Sequence, residues 1–349
     1  MKKIKLLIYS LGILFLVVVT TRYFVRIPSY TIQTNGKLYI VNKASRDIEV
    51  FDLLHGKEIA EFPIDIESHQ AATLSGSNRV VVANYGTNQI VRKSITVINT
   101  KNNTVEKTIE LAKGYSGLDG IVAFPESNKI GLISYISNDL LVVNIETKLV
   151  EKKIPTQQKG SHFFVLHPFK PLAYVTNNHS GSISVIDLNI DKVIKIIPCG
   201  LGTQGIDITP DGSEIWVTNE NENSIVIIST TNNQVINTLR SGKDPLKLKF
   251  SNDGKYCLVA NAMDGTISVY NQKSKKKIKT ISLHGKKTLL ERILYHTPRP
   301  VNILMHPNGL YAFVSNSNAN KIEVIDMKTF TIVSTIGTGK VPDGMAFVE

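Results

Sequence analysis

Five polar residues recur at one equivalent place in successive stretches of this chain: Asp343, His69, Asp119, His162 and Gln204. Each stands just before a glycine, or before the residue that replaces it, at the start of an apolar run. Leu246 and Val301 hold the same place in two further stretches. Histidine and carboxylate together are zinc- or iron-type ligands, and they are also an acid–base pair. If these side chains share one mouth, they could hold a divalent metal or a small polar ligand, with Leu246 and Val301 as a greasy arc opposite. The plainer alternative is that each residue hydrogen-bonds a neighbouring loop. Which reading holds depends on the elements that carry the residues.

Those elements are repeated hairpins. "LAYVTNNHSGSISVIDL" (172–188) has two β-branched runs around a turn of Asn, Ser and Gly, which is a hairpin pattern. Similar hairpins begin at Ile215, Cys257 and Ala312. The Asn closing the first run stands at Asn42, Asn84, Asn177, Asn219, Asn261 and Asn316, with three intervals of 42 residues. The gap of 93 from Asn84 to Asn177 holds one more copy, "IGLISYISNDLLVVN", with Tyr135 in the Asn place. The last interval of 55 is one period plus an insertion of 13. Seven repeats result. In the fifth, four strands read "GIDIT", "EIWVTN", "SIVIIS" and "QVINTL", separated by turn formers. Four strands in a period of about 40–45 residues mean propeller blades. The expected fold is all-β, a seven-bladed β-propeller over residues 28–349, preceded by an N-terminal hydrophobic segment over 1–27.

These repeats resemble the YVTN-type β-propeller family, with "YVTN" itself at Tyr174–Asn177 and "WVTN" at Trp216–Asn219. Its relatives include surface-layer propellers, the propeller of nitrous-oxide reductase, amine-dehydrogenase heavy chains and lactonase-type propellers. The resemblance implies the fold firmly; activity has to be argued from a site. It leaves two function classes open. One is a binding or scaffold module for a partner or anionic ligand. The other is a metal-assisted hydrolase of the lactonase-propeller kind, with the Asp/His mouth as its site.

The chain ends "KVPDGMAFVE", the start of a blade with nothing after it. That strand is expected to complete blade 1 beside Leu38–Asn42, in preference to "YTIQT" (30–34), and so remove the open edges. Length anomalies at 85–94, 111–120 and 283–300 all fall on the face of the Asn turns, the top face, where a repeat array gathers its binding loops. In the last of these, Leu289, Leu290, Ile293 and Leu294 recur at helical spacing, as a cap or a lid.

The net charge of +11 comes from 40 basic and 29 acidic residues, so anionic partners are favoured. Lys286, Lys287, Arg292 and Arg299 crowd the 283–300 insertion and are the expected contacts. The run from Lys273 to Lys279 reads as a solvated face. Nucleic acid is a poor fit, because stacking platforms interleave aromatics with basic groups and only Tyr85, Tyr115 and Tyr295 qualify. The N-terminus has Lys2, Lys3 and Lys5 before an apolar run from Leu6 to Val19, the order of a secretory signal or an uncleaved anchor. The propeller is then expected outside the cytoplasm, membrane-anchored or secreted, and monomeric. Two cysteines, Cys199 and Cys257, make no disulfide framework. The lack of Cys-x-x-Cys-His leaves no covalent haem expected. His167 and His306, each before a proline, read as structural parts of the bottom turns.

Overall fold

A computed structural model of the chain describes residue 12 and residues 30–64, 68–74, 76–85, 94–112, 114–285 and 297–349. Among them lie seven four-stranded antiparallel sheets. Blade 1 is built from β1 (Lys37–Asn42), β2 (Asp47–Asp52), β3 (Lys57–Pro63) and, from the other end of the chain, β28 (Pro342–Val348). The innermost strands of blades 2 to 7 are β4 (Ser68–Leu74), β8 (Leu118–Ala123), β12 (Ser161–Leu166), β16 (Thr203–Ile208), β20 (Pro245–Phe250) and β24 (Pro300–Met305). Three more strands follow each of these outwards in sequence order.

The strands exist because each carries a β-branched run, and they stack because one sheet cannot bury two apolar faces alone. The second strand of each blade is buried along nearly its whole length, whereas the fourth is largely exposed. Seven apolar clusters result, one between each pair of neighbouring blades. The cluster between blades 7 and 1 joins Phe313 and Ile322 to Leu38, Ile40 and Met345. At about 1.5–3 kcal/mol for each fully buried Val, Leu, Ile, Phe or Met side chain, every seam contributes in the same way, so no blade is an independent unit.

Closure runs through the C-terminal strand: Leu38 pairs with Phe347 and Ile40 with Met345. The competing segment 30–34 crosses instead to blade 7. The Thr31 backbone N–H donates to Ser334 Oγ at 2.9 Å, and Thr34 Oγ1 meets His306 Nε2 at 3.0 Å.

The Asn that closes each second strand is a buried staple. Asn177 accepts a bond from Ser161 Oγ of the first strand at 2.8 Å and donates to Ser184 Oγ of the third at 2.9 Å. In blade 3 the pairing of Leu118 and Asp139 with Ser134 puts that serine, and not Tyr135, in the Asn place. The one-residue slip arose because blade 3 lacks the Asn that marks the register elsewhere. Ser134 Oγ bonds the Ser116 carbonyl at 3.1 Å, doing locally what the amide does in the other blades.

Some expectations lie outside the described residues: the N-terminal segment 1–27, the helical pattern through Leu289 and Ile293, and Tyr295. No helix among the described residues is long and apolar enough to cross a membrane.

Candidate functional site

The same irregularity recurs at the top of every innermost strand. The pairing slips between Ser68 and Gln70, Asp119 and Val122, Ser161 and Phe164, Thr203 and Ile206, Pro245 and Lys247, and Pro300 and Asn302. In blade 1 it falls opposite Ile40–Asn42. A bulge re-aims side chains. Here it brings two consecutive residues of each blade to the axis, where the sequence pattern had counted one.

The second residue of each pair reads, from blade 1 to blade 7, Gly344, Gln70, Gly120, Phe163, Gly205, Lys247, Asn302. Glycine alternates with a larger residue, and the reason is steric. A Cβ on Gly344 would stand 2.5 Å from the His69 carbonyl oxygen; one on Gly120, 2.4 Å from that of His162; one on Gly205, 2.5 Å from that of Leu246. Each glycine thus lets the next blade's backbone close in at that point, and so marks three doublets: 1 with 2, 3 with 4, 5 with 6.

Within a doublet the first residues of the pairs meet. His162 Nε2 lies 2.9 Å from Asp119 Oδ2, across blades 3 and 4. His69 Nδ1 lies 3.6 Å from Asp343 Oδ2, across blades 1 and 2, and Gln70 donates to Asp343 Oδ1 at 3.4 Å. The third doublet has no such pair. Gln204 turns away to accept a bond from Asn178 at 2.8 Å, and Leu246 has nothing to offer it. Asp343, His69, Asp119 and His162 therefore come together two by two. Among the described residues no three His, Cys, Asp or Glu side chains are grouped so as to hold a metal ion.

The two doublets differ electrostatically. Asp119 is fully buried, which works against its charge. The His162 charge and hydrogen bond, then the charge of His69, outweigh burial and hold the carboxyl well below its usual range. Asp343 is pushed up, first by burial, with His69 and Lys43 only partly offsetting it and Asp119 adding to the rise. Two carboxylates in one channel that titrate in opposite directions are a pattern of acid–base sites and of structural ion pairs alike.

Aromatic rings fill the space between the polar groups. Tyr85 lies 4.7 Å from His69, and Tyr135 lies 6.1 Å from His162 and donates to or accepts from His179 Nε2 at 3.2 Å. The His162 ring packs edge-on to Phe163 at 4.1 Å. Its Nδ1 is buried and has no hydrogen-bond partner.

Lys247 was not among the sequence candidates. It projects from blade 6, and its ammonium sits over the Phe163 ring of blade 4, 3.0 Å from the centroid. To get there it passes blade 5 at Gly205, where a Cβ would stand 2.9 Å from the Lys247 Cα. No hydrogen bond or ion pair joins this ammonium to any described residue. Burial lowers its pKa to about 8, against the pull of Asp119 and Asp343. The signal that would have found it is the glycine column itself, in which Lys247 is the only cation.

Arg299 is exposed beside the axial strand of blade 7, with its charge acting on Asp244. Lys286, Lys287 and Arg292 lie outside the described residues. His167 and His306 cap bottom turns: His167 Nδ1 accepts from the Phe169 and Lys170 amides, and His306 Nδ1 from that of Asn308. Cys199 and Cys257 are buried free thiols, both pushed up by burial, Cys199 to about 12.

Comparison with known proteins bears on the fold first. The model of the family "Lactonase, 7-bladed beta-propeller" matches residues 146–283, from the outermost strand of blade 3 (Leu149–Pro155) through blade 6. Among solved structures, a functionally unknown protein from Desulfotomaculum acetoxidans is similar at TM-score 0.73 and 16% identity, over 90% of this chain and 99% of that one. Kuenenia stuttgartiensis hydrazine synthase is similar at TM-score 0.69 and 16% identity, over 80% and 89%. The dihydro-haem d1 dehydrogenase NirN, solved in complex with DHE, is similar at TM-score 0.62 and 14% identity, over 89% and 66%. No curated protein matches. At such identities these likenesses speak to the propeller alone.

Proposed function

We propose that this chain is a binding propeller that takes a small anionic ligand at the top mouth of its axial channel, with Lys247 as the group that meets the anion. The observation that carries the reading is the Lys247 ammonium itself: a half-buried cation in the channel with no carboxylate within ion-pair distance. A cation so placed costs free energy unless something answers its charge. Both aspartates nearby are engaged by histidines, and Lys247 is left as the cation of the column with no ion-pair partner of its own among the described residues. Leu246 and Val301 offer an apolar wall beside it, which fits a ligand with one charged and one greasy side.

The N-terminal segment 1–27 supports placing this propeller on the outer side of a membrane, and the YVTN-type repeats are common ground with surface-layer propellers. Arg299, exposed beside the axial strand of blade 7, would add a contact for a larger anionic partner. Titration calorimetry with a panel of small carboxylates and phosphates tests the central claim. Binding should weaken at least tenfold in Lys247→Met. Equal affinity in that variant would remove the reading.

A second reading, a hydrolase of the lactonase-propeller kind, draws on the family match over 146–283 and on the Asp119–His162 pair. Asp119 fixes His162 through Nε2, which leaves Nδ1 free to take a proton. A bound divalent metal would supply carbonyl polarisation or an activated water; the described residues offer it no set of three donors. Lactone hydrolysis by the purified chain, abolished by His162→Ala, would favour this reading; none, with and without added divalent metals, would leave the binding propeller.

A further inference from the structure

We infer that Lys247 is a nucleophilic amine and that the ligand class of this mouth is a small oxo acid, whose carbonyl carbon Lys247 captures as a reversible Schiff base. The inference rests on the anion-binding reading and names its chemistry. Three observations on the channel carry it.

The first is the amine's setting. Nζ lies on an aromatic face and bonds to no described residue, so its lone pair, once the proton leaves, is not spent on a neighbour. The second is the room made for it. Gly205 clears the path across blade 5 that any side chain would obstruct. The third is a proton carrier on the same ring. His162 packs on Phe163 at 4.1 Å, is fixed by Asp119 through Nε2 and keeps Nδ1 unpartnered. The ammonium and the imidazole therefore share one aromatic partner.

The step balances without any further reagent. The neutral amine adds its lone pair to the carbonyl carbon; the C–N bond forms and the carbonyl π pair moves to oxygen, which takes a proton. That proton is the one nitrogen gives up, relayed by water or by the His162 imidazole that shares the Phe163 ring. The carbinolamine hydroxyl then leaves as water, taking up the proton that the Lys247 ammonium released on becoming the neutral amine, as the nitrogen lone pair closes C=N. Hydrolysis runs the same path in reverse. The carboxylate of the oxo acid supplies the charge that draws it to the Lys247 ammonium. The pKa of about 8, set by burial, agrees with this role, since it leaves a far larger fraction of free amine at neutral pH than an exposed lysine has.

Glyoxylate with cyanoborohydride is the probe, used on the full-length chain at pH 7 and read by peptide mass mapping. One carboxymethyl group should appear on Lys247 about tenfold or more faster than on an exposed lysine such as Lys255. The rate should climb with pH and level off above about 8, and His162→Gln should slow it severalfold. Labelling of Lys247 no faster than Lys255 overturns the inference. Glyoxylate that binds by calorimetry yet leaves Lys247 unlabelled also overturns it, while the anion-binding reading stands. Absence of any anion binding, by glyoxylate or the wider panel, removes both.

Discussion

Blades 1 to 4 and blades 5 to 7 use the same bulged inner strand for different ends. In the first group, Asp343–His69 and Asp119–His162 bridge neighbouring blades at the axis. In the second, the corresponding places hold Gln204, Leu246 and Val301, and a lone Lys247 leans back across the channel onto Phe163. The glycine-led doublet geometry is common to blades 1–2, 3–4 and 5–6, so the backbone does not make the difference. Side-chain identity does: two doublets pair an Asp with a His across blades, and the third leaves a lysine without an ion-pair partner among the described residues. A repeat array supplies equivalent positions, and function enters where equivalence is broken.

The most damaging way to break the comparison is to remove a blade partner. Deleting Lys340–Glu349 takes away β28, and with it Asp343, Gly344 and the pairing of Ile40 with Met345. The loss should exceed the roughly 4–5 kcal/mol ceiling of ordinary point changes, because a buried strand goes and two edges open. Chemical denaturation of the truncated chain measures it. A truncation that melts like the parent would show that the seam between blades 7 and 1 does not need the strand.

Next in size are the glycines that let doublets form. Gly120→Ala places a methyl 2.4 Å from the His162 carbonyl at a φ of +44°, so both overpacking and backbone strain act, costing about 3 kcal/mol. Gly205→Ala meets the Leu246 carbonyl at 2.5 Å without a positive φ and should cost less, about 2 kcal/mol. The second change should also displace Lys247 itself, and the first only the Phe163 backbone beneath its ammonium, so anion binding should weaken more in the second. Equal effects on binding would mean that the third doublet is not special.

Much of this was legible in the chain. Six Asn residues, three of their intervals being 42, marked the blades, and "KVPDGMAFVE" marked the closure, because both depend on local turn and strand chemistry. The aspartates and histidines were legible as one column before the glycines, and the structure joins them two by two across neighbouring blades. Two things were not legible. Tyr135 was set where Ser134 belongs, since a hairpin that staples itself through a serine carries no Asn to fix its register. Lys247 was hidden because a bulge turns two residues inward, and a pattern of one residue per blade stops at Leu246. Whether an Asp and a His of different blades stand 2.9 or 3.6 Å apart is set by packing between sheets, which spacing along the chain does not encode.

The two Asp–His doublets can in turn be set against each other. Asp119, held low by His162, contributes stability that is present above the unfolded carboxyl range and lost as pH falls through its folded pKa. Asp343, pushed up by burial, acts the other way: its charged form costs stability, and the cost is relieved as pH falls through its raised pKa. Asp119→Asn should therefore cost about 2–3 kcal/mol at pH 7 and flatten the acid limb of the stability curve. Asp343→Asn should cost clearly less and leave that limb steep. Urea melts from pH 2 to 7 on both variants decide it, and matching curves would erase the distinction between the doublets.

The smallest effect at pH 7 belongs to Lys247. Its folded pKa of about 8 lies below that of an exposed lysine. Between these two values the unfolded chain binds the proton and the folded one does not, so stability rises with pH across that window. Below about pH 8 the charged amine is carried at a cost that the Phe163 face only partly offsets. Lys247→Met keeps an unbranched side chain over the ring and removes the charge. It should leave stability at pH 7 unchanged or slightly raised, while abolishing the rise between about pH 8 and 10 that the parent shows. Anion binding should fall in the same variant. A pH slope that survives in Lys247→Met would assign it to another group, and a loss of stability at neutral pH would mean that the ammonium is a structural cation, already answered within the fold, with nothing left over for a ligand.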